Sequence, residues 1–421
     1  MIKRIKGTQD ILPETSPQWI ALEELIRKTM LVYNFHEMRT PIFEQTQLFA
    51  RGIGQLTDIV SKEMYTFLDR GKKQLTLKPE MTAPIMRAYI ENKLYARAPL
   101  NKIYYIAPLF RQENPQAGRL RQFHQFGAET LGTADPLADV EIIDLAMTIF
   151  SNVGLKKIDL RINSVGDPKC RTPYKETLKD YIRPRLDQYC EDCQRRYEEN
   201  PLRVLDCKND ICQQLNQNAP KLNEHLCQDC ENHYAKVKET LSALGIPFTE
   251  DPYLVRGLDY YTRTVFEITS EALGAQNAIC GGGRYDLLAK ELDGPDTPAV
   301  GFAAGMERLL IAMQQEGIVL KELPRLDVFI VALGEQARNE SPRWLKKIRS
   351  KGLSAEMDYL GRSIKAQMRE ANRQKTRFVL LLGENELNQK QFTVKLMDKG
   401  EQITVPFDEV ISFLKKQIVA D

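Results

Sequence analysis

The stretch Phe110–Glu129, FRQENPQAGRLRQFHQFGAE, decides how this chain reads. It has the pattern of two strands joined by a tight loop, Asn114–Gly118, with Pro115 and Gly118 as turn residues. Side chains on a strand alternate faces. Arg119, Arg121, Phe123, Gln125, Gly127 and Glu129 therefore share one face of the returning strand, and Arg111 and Glu113 share one face of the outgoing strand. One sheet surface would then carry guanidinium groups, an aromatic ring, an amide, a gap and a carboxylate, in that order. That sequence of groups suits a ligand with a phosphate end, a flat ring and a small cationic end. A solvated edge hairpin is the ordinary alternative, but solvated faces rarely interleave Phe, Gly and Gln in one register.

Working outward, the 421 residues exceed one ordinary core and imply two or three domains. Hydrophobic content of 43% and charged content of 28% are those of a globular protein. Basic and acidic residues number 59 and 57, a net charge of +2, so any nucleic-acid surface must be local. MIKRIKGTQDILPE has no apolar core of a signal peptide, and no run approaches roughly 18 apolar residues. A cytoplasmic chain with no membrane association is expected, its eight cysteines serving as thiols or metal ligands.

Helical spacing predicts helices over Pro17–Tyr33, Ala83–Leu94, Leu137–Asn152, Asp286–Leu292 and Met306–Gln315. Met38–Phe43 reads as a strand holding Pro41, and proline is confined to sheet edges or strand starts. Lys73–Leu77, Tyr104–Phe110, Lys157–Ile162, Tyr261–Thr269 and Ala278–Cys280 read as further strands. Residues 170–240 differ, with seven of the eight cysteines, many charges and helical spacing; they read as a helical insertion. Beyond Leu323–Leu326, strands alternate with helices, the pattern of a small α/β domain.

Three further segments accompany the opening one: Leu254–Tyr261 (LVRGLDYY), Gly281–Asp286 (GGGRYD) and Gly301–Leu309 (GFAAGMERL). Together with Lys6–Asp10 (KGTQD), they resemble the class II aminoacyl-tRNA synthetases, in the form typical of the histidyl-tRNA synthetase family. Phe110–Glu129 resembles motif 2, LVRGLDYY and GGGRYD the two histidine-specific signatures, and GFAAGMERL motif 3. The resemblance implies an α+β catalytic domain over 1–325 with a central antiparallel sheet, containing the helical insertion over 170–240. It implies a C-terminal α/β anticodon-binding domain over 326–421. It also implies a homodimer with Pro41 at its interface, and L-histidine, ATP with Mg2+ and tRNA(His) as partners.

The implied reaction joins a histidine carboxylate to the α-phosphate of ATP, then passes histidine to tRNA(His). The carboxylate is itself the nucleophile. The protein must hold two anions together and stabilise the charge of the transition state, work suited to fixed guanidinium groups. By resemblance Arg111 and Arg256 would be catalytic, each holding the α-phosphate and the histidine carboxylate. Arg308 would pack on adenine and reach the γ-phosphate. Arg119 and Arg121 would meet the outer phosphates, Glu113 would accept from the adenine amino group, and Phe123 would stack on the ring. Glu129 and Tyr261 would bind the two imidazole nitrogens; Glu80, Thr82 and Gln125 would bind the α-amino group, and Tyr260 would line the pocket. Gly281–Gly283 would let backbone approach the ligand closely.

Cys190-x2-Cys193 and Cys227-x2-Cys230 form two CxxC knuckles, with Cys207 and Cys212 between them. Four thiolates of this kind suit a structural zinc site at Cys190, Cys193, Cys227 and Cys230; merely reduced thiols in a helical insertion are the alternative. His225 and His233 stand near enough in sequence to replace a ligand. Cys170 and Cys280 read as core thiols. A non-catalytic histidine-binding regulatory paralogue of the same fold is the second functional reading. Such paralogues lose the activating arginines and the C-terminal domain, both of which this chain retains.

Overall fold

Aromatic and aliphatic residues dominate Asn101–Phe110 and Gln122–Leu131, and both become ten-residue strands paired antiparallel along their whole length. They sit near one edge of a large sheet in the computed structural model. The structure describes residues 1–421 apart from 55, 56, 58, 117, 208, 275, 276, 323, 324 and 421, and the side chains of 419 and 420. The chain forms two compact units, Met1–Lys321 and Glu322–Asp421. Of the expected boundary near Leu323–Leu326, Leu323 and Pro324 lie outside the described residues.

The strands of the first unit are β1 (His36–Glu37), β2 (Phe43–Gln45), β3 (Thr66–Leu68), β4 (Gln74–Leu77), β5 (Asn101–Phe110), β6 (Gln122–Leu131), β7 (Ile158–Ser164), β8 (Thr249–Glu250), β9 (Thr262–Ser270), β10 (Ala278–Arg284) and β11 (Ala299–Gly305). Eight of them make one sheet in the order β1-β5-β6-β11-β10-β9-β7-β8, and β2-β4-β3 form a small second sheet. The large sheet is antiparallel through its centre, as expected, but both outermost pairings, β1 with β5 and β7 with β8, are parallel.

One face of the large sheet is buried under helices Ser16–Val32, Pro136–Val153, Gln228–Ala243 and Met306–Gln315, through Leu22, Ile26, Ile143, Phe150, Val237 and Leu309 against Phe126, Phe266 and Phe302. The opposite face is covered in part by helix Thr82–Glu91 and by the insertion, through Met81, Ile85, Tyr174 and Leu202. Between these covers the sheet surface stays open as a cavity. Buried Arg284 bonds Asp139 and the carbonyls of Thr133 and Asp135, so it braces β10 against helix Pro136–Val153 and turns away from that cavity. His233 reaches the same Asp139 at 3.2 Å, and His225 stacks near Tyr174.

Two local expectations change. Met38–Ile42 is not a strand: β1 ends before it and β2 begins after it, because Pro41 has no amide to donate to a ladder. The Phe110–Gln122 connection is longer than a tight loop. Arg111 N–H bonds the Arg121 carbonyl and Gln116 bridges Arg119. Between them Gln112 N–H bonds the Glu63 carbonyl and Arg121 N–H bonds the Gly7 carbonyl, so neighbouring segments peel the loop off the ladder.

The insertion comprises helices Pro168–Ile182, Glu191–Glu199 and Asp210–Asn216, short 3-10 turns, and the start of Gln228–Ala243. The expected cysteine quartet does not assemble. Cys190 and Cys193 gather with Cys207 and Cys212, while Cys227 and Cys230 gather with Asp167 and Cys170. Helix Gln228–Ala243 packs on the sheet through Tyr234, Val237 and Leu241. That packing holds Cys227 and Cys230 at the insertion's root, where helix Pro168–Ile182 starts, so Cys170 is no isolated core thiol.

The second unit carries β12 (Val328–Ala332), β13 (Ala355–Met357), β14 (Phe378–Leu382), β15 (Gln391–Leu396) and β16 (Gln402–Pro406), ordered β13-β12-β14-β15-β16. The first three are parallel and the last two antiparallel, with Trp344, Phe392 and Phe407 stacked in the core. Among the described residues no helix is long and apolar enough to cross a membrane.

Candidate active site

The open sheet face holds a cavity of about 1200 Å³. Alternation on β6 points Phe123, Gln125 and Glu129 into it, while Phe126 and Ala128 point into the core behind. Helix Thr82–Glu91 brings Glu80 and Thr82 to the wall, the loop before β9 brings Arg256, Tyr260 and Tyr261, and the helix after β11 brings Arg308. Arg111, Glu113 and Arg119 reach the wall from the β5–β6 connection. Of the expected side chains only Arg121 is not part of the wall; of the glycine run Gly281 lines it, while Gly282 and Gly283 instead make room for Phe266 and the Thr264 carbonyl. The Arg121 Nε donates to the Glu113 carbonyl at 3.3 Å and its stem packs against Gly7.

One end of the cavity is built around a buried carboxyl. Glu129 accepts from the Thr82 hydroxyl at 2.9 Å and from the Tyr285 hydroxyl. It faces Gly301 across the β6–β11 ladder, where a Cβ would lie 1.7 Å from Glu129 Oε2; only glycine leaves that space. Burial drives the Glu129 pKa up to about 8. Tyr260 and Tyr261 stack with centroids 4.8 Å apart and Tyr260 meets Tyr285 at 5.6 Å, so aromatic rings exclude water around the carboxyl. Glu80 accepts from the amides of Thr82 and Ala83 at 2.7 and 2.9 Å, anchoring the start of its helix. Burial raises its pKa as well, against the pull of those amides and of Arg111.

The other end is cationic. Arg111 donates through Nε to the Pro79 carbonyl at 3.0 Å, and its guanidinium lies 5.2 Å from the Phe123 ring. Arg256 is held by Glu267, while its buried Nε has no partner among the described residues. A Cβ at Gly281 would lie 1.8 Å from Arg256 Nη2, so this glycine makes room for a guanidinium. Arg308 donates to the carbonyls of Ala278 and Gly118. Burial, and then the Arg119 charge beside it, lower the Arg308 pKa. Guanidinium groups gathered at one end of the cavity favour an anion there.

Among the wall residues that the sequence did not single out, Tyr285, Glu267 and Tyr105 shape the site most directly. Tyr285 orients Glu129, although GGGRYD was read mainly for its glycines. Glu267 holds Arg256 from β9. Tyr105 fills the gap left by Gly127: the two are cross-strand partners, and a Cβ at Gly127 would lie 2.4 Å from the Tyr105 hydroxyl. That hydroxyl is buried with no partner among the described residues. The gap on the β6 face was the signal, since a glycine on a ligand-facing strand leaves room for a bulky neighbour.

An acidic, aromatic-walled pocket thus adjoins an arginine-lined trough on one antiparallel sheet. The family model described as histidyl-tRNA synthetase matches residues 7–166 and 192–309, and the model described as anticodon binding domain matches 327–417. A histidine–tRNA ligase of Natranaerobius thermophilus is 49% identical over 407 residues, covering 96% of this chain and 97% of the relative. A second, of Desulfitobacterium hafniense, is 49% identical over 418 residues, covering 97% of each. The crystal structure of apo histidyl-tRNA synthetase from S. aureus superposes with a TM-score of 0.84 at 41% identity, covering 99% of this chain and 100% of that one. This chain belongs to the histidyl-tRNA synthetase family.

Proposed function

We propose that the chain is a histidine–tRNA ligase: it activates L-histidine with ATP to histidyl-adenylate and pyrophosphate, then esterifies tRNA(His). The observation that carries this reading is one cavity containing both the buried, hydroxyl-held Glu129 and the guanidinium groups of Arg111, Arg256 and Arg308.

In the first step a histidine carboxylate oxygen bonds the α-phosphorus while the bond from that phosphorus to the bridging oxygen of pyrophosphate breaks. No general base is required. Arg111 and Arg256, both on the cavity wall, cancel the repulsion between carboxylate and phosphate and stabilise the charge on the phosphoryl oxygens. Arg308 and Arg119 take the outer phosphates, and Phe123 stacks on adenine with Glu113 at the amino group. Arg121 shapes the loop over the nucleotide through its bond to the Glu113 carbonyl. Glu267 is a carboxylate on the wall beside Arg308 and offers the hard oxygen donor that magnesium prefers. When bound with ATP, that ion neutralises phosphate charge. In the second step a ribose hydroxyl at the tRNA 3′ end attacks the activated carbonyl and AMP leaves.

Specificity rests on Glu129 and Tyr261 at the two imidazole nitrogens, with Tyr260 as a side wall. Glu80, Thr82 and Gln125 receive the α-ammonium. A pocket with a buried carboxyl strongly rejects side chains that cannot donate to it, because the carboxyl would be left unpaired. The C-terminal unit reads the anticodon and the insertion holds the acceptor arm. A homodimer is supported by the exposed apolar side chains of Ile42, Phe43, Phe67 and Leu68 near Pro41. The regulatory reading is disfavoured because the arginines and the second unit are both present. Charging of a tRNA(His) transcript with labelled histidine tests the proposal. The intact chain should charge it, and Arg256→Ala should abolish charging while binding of free histidine largely survives. Histidine binding by the intact chain without any charging would support the regulatory reading.

A further inference from the structure

We propose that Cys190, Cys193, Cys207 and Cys212 form a four-thiolate zinc centre that braces the insertion against the outer lip of the cavity. Their sulfurs come from three separate elements and all lie within 4.8 Å of one another. Cys190 is the N-cap of helix Glu191–Glu199 and Cys193 lies in its first turn; Cys207 follows the 3-10 turn Pro201–Val204, and Cys212 lies in the first turn of Asp210–Asn216. Zinc–sulfur bonds of about 2.3 Å in a regular tetrahedron put sulfurs about 3.8 Å apart. The Cys190 and Cys207 sulfurs are 3.8 Å apart, the spacing of two ligands on one ion and far from the roughly 2.05 Å of a disulfide.

The surroundings also fit a metal. Backbone amides aim at the sulfurs: Cys190 N–H at Cys212 Sγ, 3.3 Å, and Asn209 N–H at Cys207 Sγ, 3.5 Å. Such outer bonds orient thiolates and spread their charge. Cys193, Cys207 and Cys212 are buried and Cys190 is half-buried, so the set is shielded and closed, as structural sites are. The helices it joins are short, Glu191–Glu199 and Asp210–Asn216, below the length at which a helix holds itself together. The segment between them carries Arg203 and Asp206, which with Cys190 and Cys207 form part of the cavity wall. Fixing the four sulfurs therefore fixes that wall.

The other set, Asp167, Cys170, Cys227 and Cys230, is the weaker candidate. Asp167 Oδ1 already accepts from the amides of Lys169 and Cys170 as a helix cap, and Cys227 Sγ stands 3.9 Å from it. It serves as the internal control.

The test counts zinc in the full chain purified from zinc-supplemented cells, by plasma mass spectrometry. The intact chain should carry zinc, Cys207→Ser should carry one equivalent less, and Cys230→Ser should keep that equivalent. A zinc-free intact chain, undiminished zinc in Cys207→Ser, or zinc lost only in Cys230→Ser overturns the proposal. Should Cys207→Ser fail to fold, the Cys230→Ser chain is loaded with Co2+ instead. The expected result is a thiolate-to-cobalt charge-transfer band with the intense visible bands of a tetrahedral sulfur site, bleached by added Zn2+. A pale octahedral spectrum, or no uptake, contradicts the centre.

Discussion

Replacing Glu129 by glutamine should make the protein more stable at alkaline pH while destroying its use of histidine. Burial raises the Glu129 pKa from an ordinary 4.5 to about 8 in the folded chain. At about 1.4 kcal/mol for each pKa unit, holding this carboxylate ionised costs the fold roughly 5 kcal/mol. Between those two pKa values the native state binds a proton that the unfolded chain has released. Stability is thus fully present below about 4.5 and falls by about 1.4 kcal/mol per pH unit until about 8. A glutamine does not titrate, but it presents one oxygen where two now accept from Thr82 and Tyr285, a loss of about 1–3 kcal/mol at all pH values. The stability difference between Glu129→Gln and the parent should therefore move by roughly 3 kcal/mol in favour of glutamine from pH 6 to pH 9. Urea unfolding reads this directly. The chain has two tryptophans, Trp19 in the first unit and Trp344 in the second, so a Trp344→Phe background leaves Trp19 as sole reporter of the unit that contains Glu129. Groups remote from Glu129 titrate alike in both proteins and cancel, and Tyr105, Tyr260, Tyr261 and Tyr285, which feel its charge, stay neutral across this range because burial raises their pKa values. A difference that stays constant within about 0.5 kcal/mol across that range would refute the buried-carboxyl reasoning.

Further outcomes follow from the same geometry. Arg284→Met should destabilise the first unit by about 3–5 kcal/mol, since it leaves buried Asp139 without its main counter-charge; adding Asp139→Leu should restore part of the loss, and urea titration checks both. Gly281→Ala puts a methyl where Arg256 lies, so histidine-dependent pyrophosphate exchange should fall at least about tenfold while circular dichroism stays that of the parent. Tyr105→Phe removes a buried hydroxyl that has no partner among the described residues; stability should hold or rise by about 1 kcal/mol, and the KM for histidine should rise.

How much was legible in the sequence varies with how locally each feature is determined. The β6 face could be read residue by residue because strand alternation is strict, and Phe123, Gln125 and Glu129 enter the cavity together. The glycines at 281 and 301 sit where Arg256 and Glu129 need the space. The path of the Arg111–Arg121 loop was not legible. It is set by amide bonds to Glu63 and Gly7, residues distant in sequence, and these divert Arg121 from the wall. The cysteine partners were misread for a similar reason. Two CxxC knuckles invite pairing with each other, yet the packing of helix Gln228–Ala243 on the sheet decides which thiols meet. Arg284 shows the converse, a residue inside a ligand-facing motif whose guanidinium serves the core.

In this reading one cavity selects an imidazole with Glu129 and joins the histidine carboxylate to a nucleotide with arginines. This is tested most directly by the exchange of labelled pyrophosphate into ATP by the purified chain, measured with each of the twenty amino acids in turn. Exchange is expected with histidine alone, and is lost in Arg256→Ala. Comparable exchange with several amino acids, or none with histidine although histidine binds, would contradict this reading.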